Sequence, residues 1–272
     1  TITEIPAEGT LLPDTYRFQI GDSRQDIIER MQVAQKKFLA KMWEERDPEI
    51  VVQTPEEAVI LASIVEKETS RADERPLIAS VFQNRLRKKM RLQSDPTIIY
   101  GLVGGKGVLD HPIQQEELER ETAYNTYKIN GLPPTPIGNP GRAAIDAVLK
   151  PAKTKDLYFV ADGTGGHAFA PSLDDHNKNV AQWRQIERAK REQERAEAAA
   201  TAAAAAQGSP EGAVPNGAAA APAPGTLVAP DALTGGQPTA ELSPSPSGAS
   251  AEPAPAGAAP DGEADTGVPL PK

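Results

Sequence analysis

Leu61-Ala-Ser-Ile-Val-Glu-Lys-Glu-Thr69 is an apolar run that ends in two carboxylates, Glu66 and Glu68. The residues just before it say how it folds. In Thr54-Pro-Glu-Glu57, Thr54 suits an N-cap, Pro55 suits the first helical position and Glu57 completes a capping box. At about 100° per residue Ala58, Leu61, Ala62 and Val65 form one stripe, so the stretch is predicted to be a helix with a buried face. Glu66 and Glu68 then point about 160° apart and cannot share a cleft. Behind Glu68, at −3, −4 and −7, stand Val65, Ile64 and Leu61; behind Glu66 stand Ser63, Ala62 and Val59. Glu68 has the more apolar surround and lies in the last turn, at the negative end of the helix dipole. Desolvation and the dipole both raise a carboxyl pKa, as a general acid near neutral pH requires. Solvated acids at a helix end remain the plain alternative.

Upstream, Pro13-Asp14 marks a turn and Tyr16/Phe18 alternate as in a short strand. Ser23 caps a helix to about Trp43, with Ile27, Met31, Ala34, Phe38 and Met42 on one face. Downstream, a helix from near Asp73, capped by Ser70 with Pro76 in its first turn, carries Leu77, Ile78, Val81, Phe82 and Leu86. It ends in the basic run Arg85–Arg91, read as an anion patch or, more plainly, a solvated face. Asp95-Pro96 starts a turn or a helix leading to Ile98-Ile99-Tyr100. Gly101–Gly107 lacks the Lys-Ser/Thr of a phosphate loop and is expected to be a mobile loop. Tyr124–Gly141 combines two tyrosines, three Asn side chains and four prolines, which suits either a sugar face or an ordinary structured loop. A short helix, Arg142–Lys150, a hairpin of Asp156–Ala161 with His167–Phe169, and a helix from Asp174 with Val180, Trp183 and Ile186 follow.

From Ala196 on the chain holds no aromatic residue, eight acids and one base, so the tail accounts for seven of the nine net negative charges. Such a composition cannot offset its ordering entropy, and the tail is expected to be disordered apart from a helix continuing through Ala200–Ala206. The rest is nearly neutral, which speaks against nucleic acid as a partner. With no cysteine, disulfides and thiol catalysis are excluded. The histidines His111, His167 and His176 lack metal-ligand spacing, and no Gly-x-Ser-x-Gly elbow occurs. Neither a metal nor another cofactor is expected. No apolar run spans a bilayer. Thr1–Pro6 reads like mid-domain sequence, so an N-terminal part is expected to be missing.

Six motifs occur in order: Ala62-Ser-Ile-Val-Glu-Lys-Glu-Thr69, Val81-Phe-Gln-Asn-Arg-Leu86, Met90-Arg-Leu-Gln-Ser-Asp-Pro-Thr97, Tyr124-Asn-Thr-Tyr127, Gly131-Leu-Pro-Pro134 and Leu157-Tyr-Phe-Val-Ala-Asp162. Together they resemble the YceG-like family over about Glu8 to Arg188. The resemblance implies a bacterial lyase that cuts nascent glycan strands between MurNAc and GlcNAc, leaves 1,6-anhydroMurNAc ends and so terminates strand growth. It implies an N-terminal inner-membrane anchor absent from this chain, a periplasmic catalytic domain and cell-wall synthases as partners. The family's catalytic glutamate maps to Glu68, and the first glutamate of the motif, the runner-up, to Glu66. Asn84, Gln93, Ser94, Asp95, Tyr124, Asn125 and Tyr127 are assigned to substrate binding from motif membership and chemistry.

The expected fold is α+β: a mainly helical, lysozyme-like catalytic lobe with a small β-sheet. The resemblance also implies a LysM-like subdomain, of which residues 1–20 are taken as the remnant or end; 21–195 are assigned to the catalytic domain and 196–272 to the disordered tail. Two rival functions stand beside the lyase. One is a lysozyme-like glycan hydrolase with Asp95 as second carboxylate. The other is a non-catalytic peptidoglycan-binding or scaffold module.

Overall fold

The computed structural model describes residues 4–207. Among these the order is α1 (Arg24–Glu44), α2 (Pro55–Glu68), α3 (Arg75–Arg87), α4 (Asp95–Val103), α5 (Gln115–Glu119), α6 (Arg142–Leu149), β1 (Tyr158–Ala161), β2 (His167–Ala170) and α7 (Leu173–Gln207). The described part is therefore α+β, with seven helices and one two-stranded antiparallel sheet.

Helix α2 is the hub. It packs on α6, α3, α4 and α1, and Ala58, Leu61, Ala62, Ile64 and Val65 are fully buried. Ile78, Val81 and Phe82 from α3, and Ile145, Val148 and Leu149 from α6, close the same core. Each such large side chain contributes about 1.5–3 kcal/mol relative to exposure. The start of α2 is as expected with one refinement. Thr54 Oγ1 accepts the Glu57 N–H at 3.1 Å, but the Glu57 carboxylate reaches one residue further back, to the Gln53 N–H at 2.6 Å. The orphan Glu57 N–H of the first turn is satisfied all the same.

Other elements depart from expectation. Tyr16 and Phe18 lie in irregular backbone, where the Tyr16 hydroxyl donates to the Leu12 carbonyl instead of pairing with a strand. Helix α3 begins at Arg75, behind Glu74, because Ser70 and Asp73 belong to the turn that follows α2. Helix α4 takes in Gly101 and stops at Gly104, whose φ of +60° suits glycine. Expectation also missed α5, a five-residue helix too short to show a period. Its capping box of Gln114 and Glu117 is the signal that was there.

The hairpin pairs Tyr158 with Ala170 and Ala161 with His167. Its turn is tied by Asp162, whose Oδ1 accepts the N–H groups of Thr164 and Gly166. Helix α7 rests on the hairpin through Val180 and through His176, which stacks on Tyr158 with centroids 5.1 Å apart. It then runs on to Gln207, exposed from Ala196 to Thr201. The remainder of the tail expected to be disordered, 208–272, lies outside the described residues, as do residues 1–3. Among the described residues no helix is long and apolar enough to cross a membrane.

Candidate active site

Glu68 is the last residue of α2, and Thr69 leaves the helix in an extended conformation (φ −147°, ψ 139°). The carboxylate is thus delivered to the end of a buried rod and kept 7% exposed. What meets it there is Ser94, the residue before α4. Its hydroxyl donates to Glu68 Oε1 at 2.5 Å instead of capping its own helix.

Ser94 is itself held from two directions. Its N–H donates to Thr126 Oγ1 at 2.9 Å, and its carbonyl accepts the Thr97 hydroxyl at 2.6 Å. Gln93, just before, adopts a left-handed backbone (φ 54°), and its N–H donates to the Thr126 carbonyl at 3.2 Å. A left-handed conformation is disfavoured for a residue with a side chain by about 1–2 kcal/mol. Here the strain accompanies the bend that brings Ser94 to Glu68.

Asp95 follows as the first residue of α4, and the Tyr127 phenol donates to its Oδ1 at 2.5 Å. Burial above all, and then the charge of Asp95, hold the Tyr127 phenol in its protonated form. The result is a cluster of Glu68, Ser94, Asp95 and Tyr127 drawn from α2, α4 and the loop before α6.

The electrostatics of Glu68 follow from that cluster. Burial pushes its carboxyl from an ordinary 4.5 up to about 7, and the charge of Asp95 adds to the rise. The Ser94 hydrogen bond and the guanidinium of Arg85 act the other way. Desolvation wins because the hydrogen bond that the carboxylate accepts from Ser94 comes from a neutral hydroxyl.

Arg85 is the residue that sequence reading placed wrongly. It stands in a basic run that reads as an anion patch or a solvated face, yet it is only 1% exposed. Nε donates to the Leu157 carbonyl at 2.6 Å; Nη1 donates to the Arg91 and Leu92 carbonyls and to Gln93 Oε1, the last at 3.0 Å. The signal was its spacing: Ile78, Phe82 and Arg85 fall at i, i+4 and i+7, on the buried face of α3. Thr126 was missed as well, because a buried hydroxyl linking two loops carries no periodic mark.

The other expected site residues divide. Glu66 points away from Glu68, and its Oε2 accepts the Gly141 N–H at 3.0 Å, in front of α6. There it holds the proline-rich loop, together with Ser63, whose Oγ accepts the Ile137 N–H at 2.9 Å. The Asn84 amide donates to the Thr154 and Asp156 carbonyls, each at 3.0 Å, so it ties down the segment before β1. The buried Asn125 amide donates to the Leu118 and Arg120 carbonyls and its Oδ1 accepts the Tyr127 N–H, which shapes the loop that carries Tyr127. Gln93 is engaged by Arg85. Tyr124 is half-buried, lies against Tyr100 with centroids 4.9 Å apart, and its hydroxyl bonds Thr135 Oγ1 at 2.7 Å. Among the described residues no group of three or more His, Cys, Asp or Glu side chains is placed to hold a metal ion.

Comparison with known proteins agrees with this architecture. The model of the YceG-like family matches residues 2–182. A protein of Bacillus subtilis named endolytic murein transglycosylase is 39% identical over 174 residues, 64% of this chain and 47% of its own. A Streptococcus pneumoniae protein of the same name is 35% identical over 181 residues, 64% of this chain and 32% of its own. The crystal structure of a yceG-like protein from Listeria monocytogenes is similar with a TM-score of 0.53 at 39% identity, over 62% of this chain and 54% of that one. The chain thus spans about half or less of the length of the curated relatives it matches.

Proposed function

The chain belongs to the YceG-like family, and on that footing we propose that it carries the catalytic part of an endolytic peptidoglycan lytic transglycosylase. The observation that carries the reading is Glu68: a carboxyl buried at a helix end, hydrogen-bonded to Ser94 and pushed up to about 7. A group with that pKa is protonated in a useful fraction at neutral pH, as a general acid must be. The matched B. subtilis and S. pneumoniae proteins carry the name of this activity.

The reaction follows from one carboxyl group. Neutral Glu68 gives its proton to the glycosidic oxygen between MurNAc and GlcNAc, the C1–O bond breaks, and positive charge develops at C1 of MurNAc. The carboxylate left behind removes the proton from the C6 hydroxyl of the same sugar, and O6 closes on C1. Glu68 is then neutral again, no water is consumed, and the product carries a 1,6-anhydro end. Ser94 fixes the carboxyl orientation. Asp95 and Tyr127 supply negative and polar character next to the developing cation, and Tyr124 with Tyr100 offers a flat face for a neighbouring sugar. Asn84, Asn125 and Gln93 support the site as scaffold. Glu66 serves as the anchor of the proline-rich loop.

The same reading takes the helical lobe as lysozyme-like and residues 1–20 as the end of a LysM-like subdomain. It places the enzyme outside the cytoplasm, on the growing wall of a bacterium, tethered to the inner membrane and working beside cell-wall synthases.

A second reading has one observation in its favour. Asp95 lies near enough to raise the pKa of Glu68, so a hydrolase with two carboxylates is a rival. Mass spectrometry of glycan strands decides. Anhydro-ended internal fragments from wild type and none from Glu68→Gln support the transglycosylase; reducing MurNAc ends replace it with the hydrolase. No products from a folded, full-length protein would leave a binding module.

A further inference from the structure

The reaction above leaves one buried acid unused. Glu74, in the turn after α2, is 5% exposed. Its Oε1 accepts the His167 N–H at 2.9 Å and lies 3.3 Å from Arg71 Nε. Its Oε2 lies 2.7 Å from His167 Nδ1 and accepts the Thr69 hydroxyl at 3.2 Å. A carboxylate only accepts, so the proton between Glu74 and His167 sits on Nδ1. The His167 side chain is 5% exposed and stands edge-on to Phe159, centroids 5.3 Å apart, so it has little room to move.

Thr69 gives this pair its meaning. It follows Glu68 directly, and no further helical turn holds the end of α2 in place. Its hydroxyl donates to Glu74 and accepts the Arg71 N–H at 3.1 Å. The path Glu68–Thr69–Glu74–His167 therefore runs from the last residue of α2 to the first residue of β2. A buried polar pair is a poor source of net stability, because desolvation offsets the attraction. What it does supply is a fixed geometry.

We infer that Glu74 and His167 are positioning residues for Glu68: through the Thr69 hydroxyl they clamp the end of α2 to β2 and keep the acid in place beside Ser94. The inference rests on Glu68 as the general acid of the reaction.

The test compares Thr69→Val, which is isosteric but lacks the hydroxyl, with Thr69→Ser, which keeps it. Both are read by kcat and KM on glycan strands and by carbon-13 NMR titration of the Glu68 carboxyl without substrate. Thr69→Val is expected to lose about 10- to 100-fold in kcat with KM within about twofold, as for a misplaced catalytic group. Its Glu68 should titrate closer to the ordinary carboxylate range as the side chain gains solvent. Thr69→Ser should restore both. His167→Ala should reproduce the loss, and His167→Asn, which keeps a donor near the Nδ1 position, should recover most of it. The inference is overturned if folded Thr69→Val or His167→Ala keeps the wild-type kcat and Glu68 titration, or if the conservative variants lose as much as the others. Because the titration needs no substrate, it judges the clamp alone. Absence of anhydro products from wild type would instead sink the transglycosylase reading.

Discussion

Glu66 and Glu68, two positions apart on α2, accept hydrogen bonds on opposite sides of the helix: Glu66 from the Gly141 N–H, Glu68 from the Ser94 hydroxyl. One turn of one helix thereby serves two tasks. The half-buried acid holds a loop, and the buried one is the proposed general acid. The physical difference is solvation: burial moves Glu68 up to about 7.

That difference separates the two residues in activity. Glu68→Gln should abolish formation of anhydro ends. Glu66→Gln keeps an oxygen for the Gly141 N–H and should stay within about threefold of wild type, while Glu66→Ala should cost about 1–2 kcal/mol in urea unfolding through the lost hydrogen bond. If Glu66→Gln abolishes the products and Glu68→Gln does not, the roles are reversed.

Glu68 also leaves a mark on stability. Its folded pKa is raised from 4.5 to about 7, so its favourable contribution is complete below pH 4.5 and is lost as pH rises through 7. At about 1.4 kcal/mol per pKa unit, removing the titrating group should make Glu68→Gln more stable than wild type by up to roughly 3 kcal/mol at pH 8. Near pH 4 that pH-dependent advantage should vanish. Thermal unfolding of both proteins across pH 4–9 measures it; a difference that stays flat with pH would show that Glu68 does not titrate in this range.

The neighbours of Glu68 should move the alkaline limb of kcat/KM in opposite directions. Ser94 stabilises the carboxylate, so Ser94→Ala should raise the Glu68 pKa and carry the limb to higher pH. The Asp95 charge destabilises the carboxylate, so Asp95→Asn should carry the limb to lower pH. Parallel pH profiles decide, and movement in the same direction by both would contradict this account of the site.

Arg85 should prove structural first. Its guanidinium donates to three carbonyls and to Gln93 while almost fully buried. Arg85→Met leaves those acceptors unpaired and should cost about 3–5 kcal/mol in urea unfolding. Arg85→Lys should recover only part, because a compact ammonium cannot serve partners spread around a planar fork. Recovery to wild-type stability by lysine would show that charge alone is what the site needs.

Local regularities made much of this legible from residues alone. The start of α2 at Thr54, the periodicity of α1, the hairpin and the opposed directions of Glu66 and Glu68 are all short-range consequences of capping, 3.6-residue spacing and strand alternation. The choice of Glu68 over Glu66 as the buried acid came from its apolar helical neighbours. What only the tertiary structure decided are the partners across chain distance. Ser94 meets Glu68 from 26 residues away, Tyr127 meets Asp95 from 32 and His167 meets Glu74 from 93. Asn84 and Asn125 look in sequence like polar groups awaiting a ligand, and packing commits their amides to backbone carbonyls. Arg85 reads as one more charge in a basic run until α3 is turned with that side inward. The reason is common to all of these: a side chain's spacing sets the face it occupies, but which group fills the space opposite depends on how whole elements dock. Docking is set by the summed burial of the core, which no single stretch of sequence reports.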